Sequence, residues 1–297
     1  MAGHEPVLLR QVVEMLRPDR GGVFVDCTVG LGGHARALLE AGADRIVGID
    51  RDAAALDEAR RQLAPWAGRV DLVHGDYRDL RRVLDERNLA TVGGILADLG
   101  VSSLQLDTPG RGFSFRRDEP LDMRMDRSAG PTAAAWLREV PEDELADVIA
   151  RFGEERFARR VARLIARERE AAPIETTGRL AAIVRRAVGG RRGGRSRIDP
   201  ATRTFQAIRI AVNRELEGLD RFVADAVAAL APGARLAIIA FHSLEDRAVK
   251  HALRALAGHA AVPIALLTRR PVRPDAGEVA RNPRARSARL RVAERLR

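Results

Sequence analysis

The sequence predicts an α/β fold, a mostly parallel sheet wound with helices and interrupted by an all-helical insertion. Three observations predict it. Short β-rich apolar runs alternate with helical patterns from Val23 to Asp98. From Thr132 to about Val188 only helical periodicity is present, and the α/β alternation then returns from Thr204 onward. Finally, 297 residues, 46% of them hydrophobic, suffice for one large α/β core with an insertion or for two domains of ordinary size.

Taken in order, Val7 to Leu16 has helical spacing and stops before Pro18. Strands are expected at Val23 to Asp26, Arg45 to Asp50, Val70 to His74 and Gly94 to Asp98, with helices beginning near His34, Ala53 and Asp79 between them. After Asp98 comes a loop rich in Ser, Gly, Pro and Arg, then the helical stretch, closed by the Gly/Arg loop Gly189 to Arg197. A long helix from Thr204 to Leu230 leads to a strand at Arg235 to Phe241 and a helix from Leu244. Two weaker strands, Ile264 to Leu267 and Ala288 to Val292, finish the sheet at its edge. This reading assigns residues 1–107 and 200–297 to the α/β domain and 108–199 to the helical insertion with its basic loops.

Composition narrows the function. No apolar run approaches the roughly 20 residues of a membrane helix, and the start, with His4 and Glu5, lacks the basic-then-apolar pattern of a secretory signal, so a cytoplasmic location is expected. A single cysteine, Cys27, excludes an intrachain disulfide and a thiolate-rich zinc site, and no metal is expected. The formal charge is +10, and every basic residue except Lys250 is arginine. A GC-rich genome accounts for arginine over lysine. The net sign instead favours a polyanionic partner, because guanidinium forks bind phosphate bidentately.

Val23 to His34 reads as a buried strand that ends in Asp26 and turns through Gly30, Gly32 and Gly33 into a helix. Glycines there permit positive φ and let a ligand rest on main-chain N–H groups near a helix N-terminus. The next strand ends in Asp50, where an acid that grips ribose hydroxyls belongs. Gly30, Gly32 and Ala35 also satisfy the dinucleotide pattern G-x-G-x-x-[GA], so an NAD-dependent oxidoreductase stays open as an alternative. Two features weigh against it. Asp26 would repel a pyrophosphate but can hold the ammonium of a methionine moiety, and Asp76 with Tyr77 suits an adenine, the acid accepting its exocyclic N–H and the ring packing on its face. The competing roles are a helix cap for Asp76 and a core position for Tyr77.

The fourth strand ends in Asp98, and open α/β sheets bind ligands outside such carboxyl ends. Methyl transfer from a sulfonium needs a nucleophile held in line. For an exocyclic amine, an acceptor such as Asp98 can draw on the N–H bonds that conjugate its lone pair into the base. Asp98 can equally be a cofactor contact only, and Gln105 can orient cofactor or stitch the loop. Arg111, Phe113, Phe115 and Arg116 interleave charge and aromatic rings as a base-splaying RNA site requires, with packing anchors as the alternative for the two phenylalanines. Arg195 and Arg197, and again Arg284 and Arg286, read as phosphate contacts. His242, after the next buried strand, can line the target pocket or relay a proton, while Ser243 reads as the helix N-cap.

Together these residues resemble the MraW family, bacterial methyltransferases acting on N4 of a cytidine in 16S ribosomal RNA. The resemblance spans nearly the whole chain, through His4 to Leu9, Gly32 to His34, Asp98 to Ser103, Arg111 to Phe115, Pro120 to Asp126, Gly153 to Ala158, Pro200 to Gln206, Phe241 to Arg247 and Asn282 to Arg284. It implies a Rossmann-like methyltransferase sheet with one antiparallel edge strand and an inserted helical domain. It also implies S-adenosyl-L-methionine as cofactor, with contacts at Gly32, Gly33, His34, Asp50, Tyr77, Asp98 and Gln105, and the decoding centre of the 30S subunit as substrate. The chain departs from the family's pattern at Leu104, commonly proline, at Tyr77, often phenylalanine, and at Leu31, often arginine or another polar residue. A non-enzymatic 30S assembly factor remains a further alternative, and the oligomeric state is left open, a homodimer included.

Overall fold

The computed structural model describes residues 6–189, 199–258 and 262–296. It divides into two compact units, one formed by Met1–Gly100 with Leu216–Arg297, the other by Val101–Glu215.

The first unit contains a seven-stranded sheet of order β3-β2-β1-β4-β5-β7-β6. Its strands are β1 (Val23–Asp26), β2 (Arg45–Asp50), β3 (Val70–His74), β4 (Val92–Asp98), β5 (Leu230–Ala240), β6 (Ile264–Leu266) and β7 (Arg289–Arg295). The first five pair in parallel, whereas β7 runs antiparallel between β5 and β6. The antiparallel strand thus lies at the edge the sequence assigned to it, with only the three-residue β6 beyond it.

Around this sheet lie α1 (Leu9–Leu16), α2 (Gly33–Glu40), α3 (Ala53–Gln62) and α4 (Leu80–Asp85), and, after the second unit, α11 (Leu219–Ala229), α12 (Ser243–Ala257) and α13 (Ala276–Arg281). Because side chains alternate across a strand, both sheet faces must be covered when both are apolar. Phe24, Ile46, Leu96 and Ile239 pack with residues of α1, α2 and α3, while Val25, Val47, Ile95 and Ile238 pack with residues of α4, α11 and α12. Gly94 of β4 is a consequence of this packing, since a Cβ there would lie 2.4 Å from Cε1 of Phe24.

The second unit is helical: α5 (Ser103–Asp107), α6 (Ala133–Glu139), α7 (Glu142–Gly153), α8 (Ala158–Ala171), α9 (Thr177–Val188) and α10 (Ala201–Asn213). Leu145, Ile149, Val161, Ile165, Leu180 and Val184 form its core with Phe205 and Ile208 of α10. The expected borders, 107/108 and 199/200, are therefore corrected to Gly100/Val101 and Glu215/Leu216. Val101 and Leu106 pack on the helical core, and α10 buries its apolar face there. The single long helix expected from Thr204 to Leu230 is likewise two. The chain turns through the left-handed region at Arg214 (φ 52) and Gly218 (φ 66), which lets α10 serve the helical core and α11 the sheet.

Asn213 pins the loop before α6 to α10. Its Nδ2 donates to the carbonyls of Met123 (2.7 Å) and Arg209 (2.9 Å), and its Oδ1 accepts from Met125 N (2.7 Å). Met123 is held at φ 60, a left-handed conformation that a non-glycine residue adopts only under constraint. Asn213→Ala leaves buried donors and acceptors unpaired, and urea unfolding of the full chain should show about 2–3 kcal/mol less stability. A loss below about 0.5 kcal/mol would show that the loop holds itself.

Candidate active site

The order β3-β2-β1-β4-β5 reverses direction between β1 and β4, the topological switch point where open α/β sheets bind ligands. Asp26 and Asp98 are the last residues of these two neighbouring strands. Thr28 ties them together, its N–H donating to Asp26 Oδ1 (3.2 Å) and its Oγ1 accepting from Asp98 N (2.6 Å). Sequence reasoning passed over Thr28, whose hydroxyl only gains meaning once β4 lies beside β1.

Beyond Thr28 the chain turns at Gly30 (φ 51) and Gly32 (φ 85), conformations that exclude most side chains. Gly30 N donates to Asp50 Oδ2 (2.8 Å) and Asp52 N to Asp50 Oδ1 (2.9 Å), so Asp50 fastens the turn to the end of β2. Each of its oxygens keeps a second lone pair for a ligand hydroxyl. Burial raises the Asp50 carboxyl above its ordinary value, and the two backbone bonds oppose that shift.

Helix α2 begins at Gly33 and turns His34 inward to face Asp98, with Nε2 3.6 Å from Asp98 Oδ2. The ring is buried, and among the described residues neither of its nitrogens has a hydrogen-bond partner. Asp26 Oδ2 and Asp98 Oδ1 are likewise buried without partners among the described residues. Burial pushes the Asp26 carboxyl up to about 7, against the pull of His34. Buried polar atoms left unsatisfied cost about 1–3 kcal/mol each, and such a cluster at a switch point marks a place built for a ligand. The donor set suits S-adenosyl-L-methionine. Among the described residues Asp26 has no cationic partner in a salt bridge, the glycines of the turn carry no side chain, and Asp50 has lone pairs to spare.

Other expected contacts fall differently. Asp76 was expected to accept from adenine, but Oδ1 already takes Arg78 N (2.9 Å) and Nε (2.8 Å), and Oδ2 takes Arg78 Nη2 (2.8 Å) and Arg51 Nη2 (2.7 Å). A carboxylate offers about four lone-pair sites, so Asp76 is saturated and acts as the cap of the turn Tyr77–Asp79. Burial works against its charge, yet the Arg78 and Arg51 guanidiniums hold it below the usual carboxylate range. Tyr77 is buried edge-on against Phe222, with ring centroids 4.8 Å apart, and burial pushes its hydroxyl well up. Its place is the core, not an open adenine face.

Gln105 closes a capping box with Ser102, its Oε1 accepting from Ser102 N (3.0 Å). Of the two roles weighed for it, this is the stitching one. The N-cap of α12 is His242, not Ser243. Nδ1 of His242 accepts from Glu245 N (3.3 Å) and Nε2 lies 3.1 Å from Glu245 Oε1. Nδ1 thus serves as the helix cap, while Nε2 is buried without a hydrogen-bond partner among the described residues.

The expected RNA contacts divide. Arg111 is buried and donates through Nη2 to the carbonyls of Arg124 and Met125, both at 3.1 Å. Phe113 belongs to the helical core, and Phe115 packs edge-on against Phe205 at 4.7 Å. These three are corrected from RNA contacts to anchors of the second unit. Arg116, Arg284 and Arg286 are exposed, while Arg195 and Arg197 lie outside the described residues.

Comparison with known proteins identifies the family. The family model for the MraW methylase family matches residues 1–296. A protein of Syntrophotalea carbinolica named ribosomal RNA small subunit methyltransferase H is 51% identical over 308 aligned residues, covering 99% of this chain and 98% of that protein. Proteins of the same name from Sorangium cellulosum and Thermomicrobium roseum are 50% and 49% identical, each aligned over 99% of this chain and over 91% and 94% of their own lengths. With a family model matched from end to end and relatives at half identity over full length, this chain belongs to the MraW methylase family.

Proposed function

We propose that the protein is an S-adenosyl-L-methionine-dependent methyltransferase that methylates N4 of a cytidine in the decoding centre of 16S ribosomal RNA, within the 30S subunit in the cytoplasm. The observation that carries the chemistry is the buried cluster of Asp26, His34 and Asp98 with unsatisfied polar atoms at the switch point. The substrate follows from the relatives' names and from the net charge of +10. Among the described residues no helix is long and apolar enough to cross a membrane.

When bound, the cofactor supplies a methyl group on a sulfonium. The residues do the rest. Asp26 pairs with the cofactor's ammonium, Asp50 receives ribose hydroxyls, and the Gly30–Gly33 turn lets main chain approach the methionine half. Asp98 accepts an N–H of the target amine, which frees lone-pair density on N4 for in-line attack. Methyl transfer would leave the amine cationic, and Asp98 would take the proton it sheds. His34 lies beside Asp98, with Nε2 3.6 Å from Asp98 Oδ2.

The test is to incubate the protein and labelled S-adenosyl-L-methionine separately with unmodified 30S subunits, naked 16S rRNA and tRNA, then to identify the labelled nucleoside. Label in N4-methylcytidine from 30S subunits is the expected result. Label in any other nucleoside would sink the assignment, as would tight NADH binding without binding of S-adenosyl-L-methionine.

A further inference from the structure

We propose that a cleft between α12 and the β6–β7 edge of the sheet seats a phosphate of the RNA backbone, held by Lys250, Arg254 and Arg269. The inference rests on the RNA-modifying reading above, but concerns a surface outside the cluster of Asp26, His34 and Asp98.

Lys250 and Arg254 come from α12, Thr268 and Arg269 from the turn after β6, and Arg291 from β7; all five line the same cleft. Arg291 is buried and already neutralised, its Nε donating to Asp246 Oδ1 at 2.6 Å, and Arg289 lies 3.7 Å from Asp246 Oδ2. Of the two acids of this helix, Asp246 is therefore spent on β7 and Glu245 on the capping box with His242. Among the described residues, Lys250, Arg254 and Arg269 have neither an ion pair nor a side-chain hydrogen bond.

Several surface arginines are matched by a nearby acid, as Arg60 by Asp57, Arg61 by Glu58, Arg82 by Glu86 and Arg185 by Asp199, whereas Arg254 and Arg269 of this cleft are not. Lys250, Arg254 and Arg269 line one cleft with no acidic partner among the described residues, a setting that favours an anion from outside. Thr268 adds a neutral donor. Its Oγ1 accepts from Val292 N at 2.9 Å, which leaves the hydroxyl proton to give to a phosphate oxygen. A backbone phosphodiester, with two free oxygens and one charge, matches a point-charge lysine, two guanidinium forks and a hydroxyl.

The chain offers its own probe. Lys250 is its only lysine, so an amine-acylating reagent labels one side chain, separable from the N-terminal amine by peptide mass spectrometry. Saturating 30S subunits should slow acylation of Lys250 about tenfold, whereas S-adenosyl-L-methionine alone should leave it unchanged. The double variant Lys250→Gln, Arg254→Gln should keep kcat, cofactor affinity and Tm while raising KM for 30S subunits. Its plot of log affinity against log salt should flatten by about 0.7–0.9, the loss expected for one phosphate contact. An unchanged acylation rate with saturating subunits overturns the proposal, as does an unchanged salt slope in the double variant. Because footprinting reads binding and not turnover, failure of the methyltransferase reading appears separately, as absence of methyl transfer by the unaltered protein.

Discussion

Asp98→Asn is expected to lower kcat by about a hundred- to ten-thousand-fold while changing the affinity for S-adenosyl-L-methionine only a few-fold. The substitution keeps the shape of the side chain but removes its charge and its capacity to take a proton. Strand geometry should survive, because the Asp98 backbone N–H is held by Thr28 Oγ1 at 2.6 Å regardless of the side chain. The carboxylate has one oxygen 3.6 Å from His34 and the other buried without a partner, as befits a group waiting for a donor from substrate. In the proposed function, cofactor binding relies instead on Asp26, Asp50 and the glycine turn. Single-turnover methylation of 30S subunits and calorimetric titration of the cofactor separate the two effects. Equal losses in both would make Asp98 a cofactor ligand and move the proton acceptor elsewhere.

The residues that sequence reading placed well lie where strand meets loop. β1 ends at Asp26, β2 at Asp50 and β4 at Asp98, as their apolar runs indicated, because a parallel strand buried on both faces announces its own length. Misplaced roles arise where a side chain's partner comes from another element. Asp76 looked available until Arg51, at the end of β2, was found reaching across to it beside its near neighbour Arg78. Phe113 and Phe115 resemble a base-stacking pair by spacing, yet spacing carries no information about Phe205, which arrives from α10. The break between α10 and α11 was hidden for a related reason. Arg214 and Gly218 interrupt a pattern whose apolar residues continue on both sides, and only the two separate cores show that these residues serve different layers.

The pH dependence of cofactor affinity is the other large expected effect, and Asp26 sets its sign. In the free protein the Asp26 carboxyl titrates at about 7 because it is buried, with His34 offsetting only part of that cost. Pairing with an ammonium requires the carboxylate, so below that pH binding must expel a proton, and affinity should rise as pH climbs from about 5.5 to 7. An α-amino group titrates near about 8, so affinity should fall again once the ligand's ammonium is lost. Asp26→Asn should remove the rising limb and weaken binding about a hundredfold near neutral pH, as expected when one partner of a buried charge pair is deleted. Stability of the cofactor-free protein should move in the opposite direction. An acid whose folded pKa lies above its unfolded value holds its proton longer when folded, so its contribution to stability falls as pH rises from 3.8 to about 7. The shift corresponds to a cost on the order of 4 kcal/mol above that range. Asp26→Asn should consequently melt at a higher temperature than the unaltered protein at pH 8 without cofactor, and the gap should narrow when both are saturated at one cofactor concentration, because a hundredfold weaker affinity forfeits about 2.7 kcal/mol of ligand stabilisation. A variant that binds as tightly as the parent at pH 7 would remove Asp26 from the cofactor site.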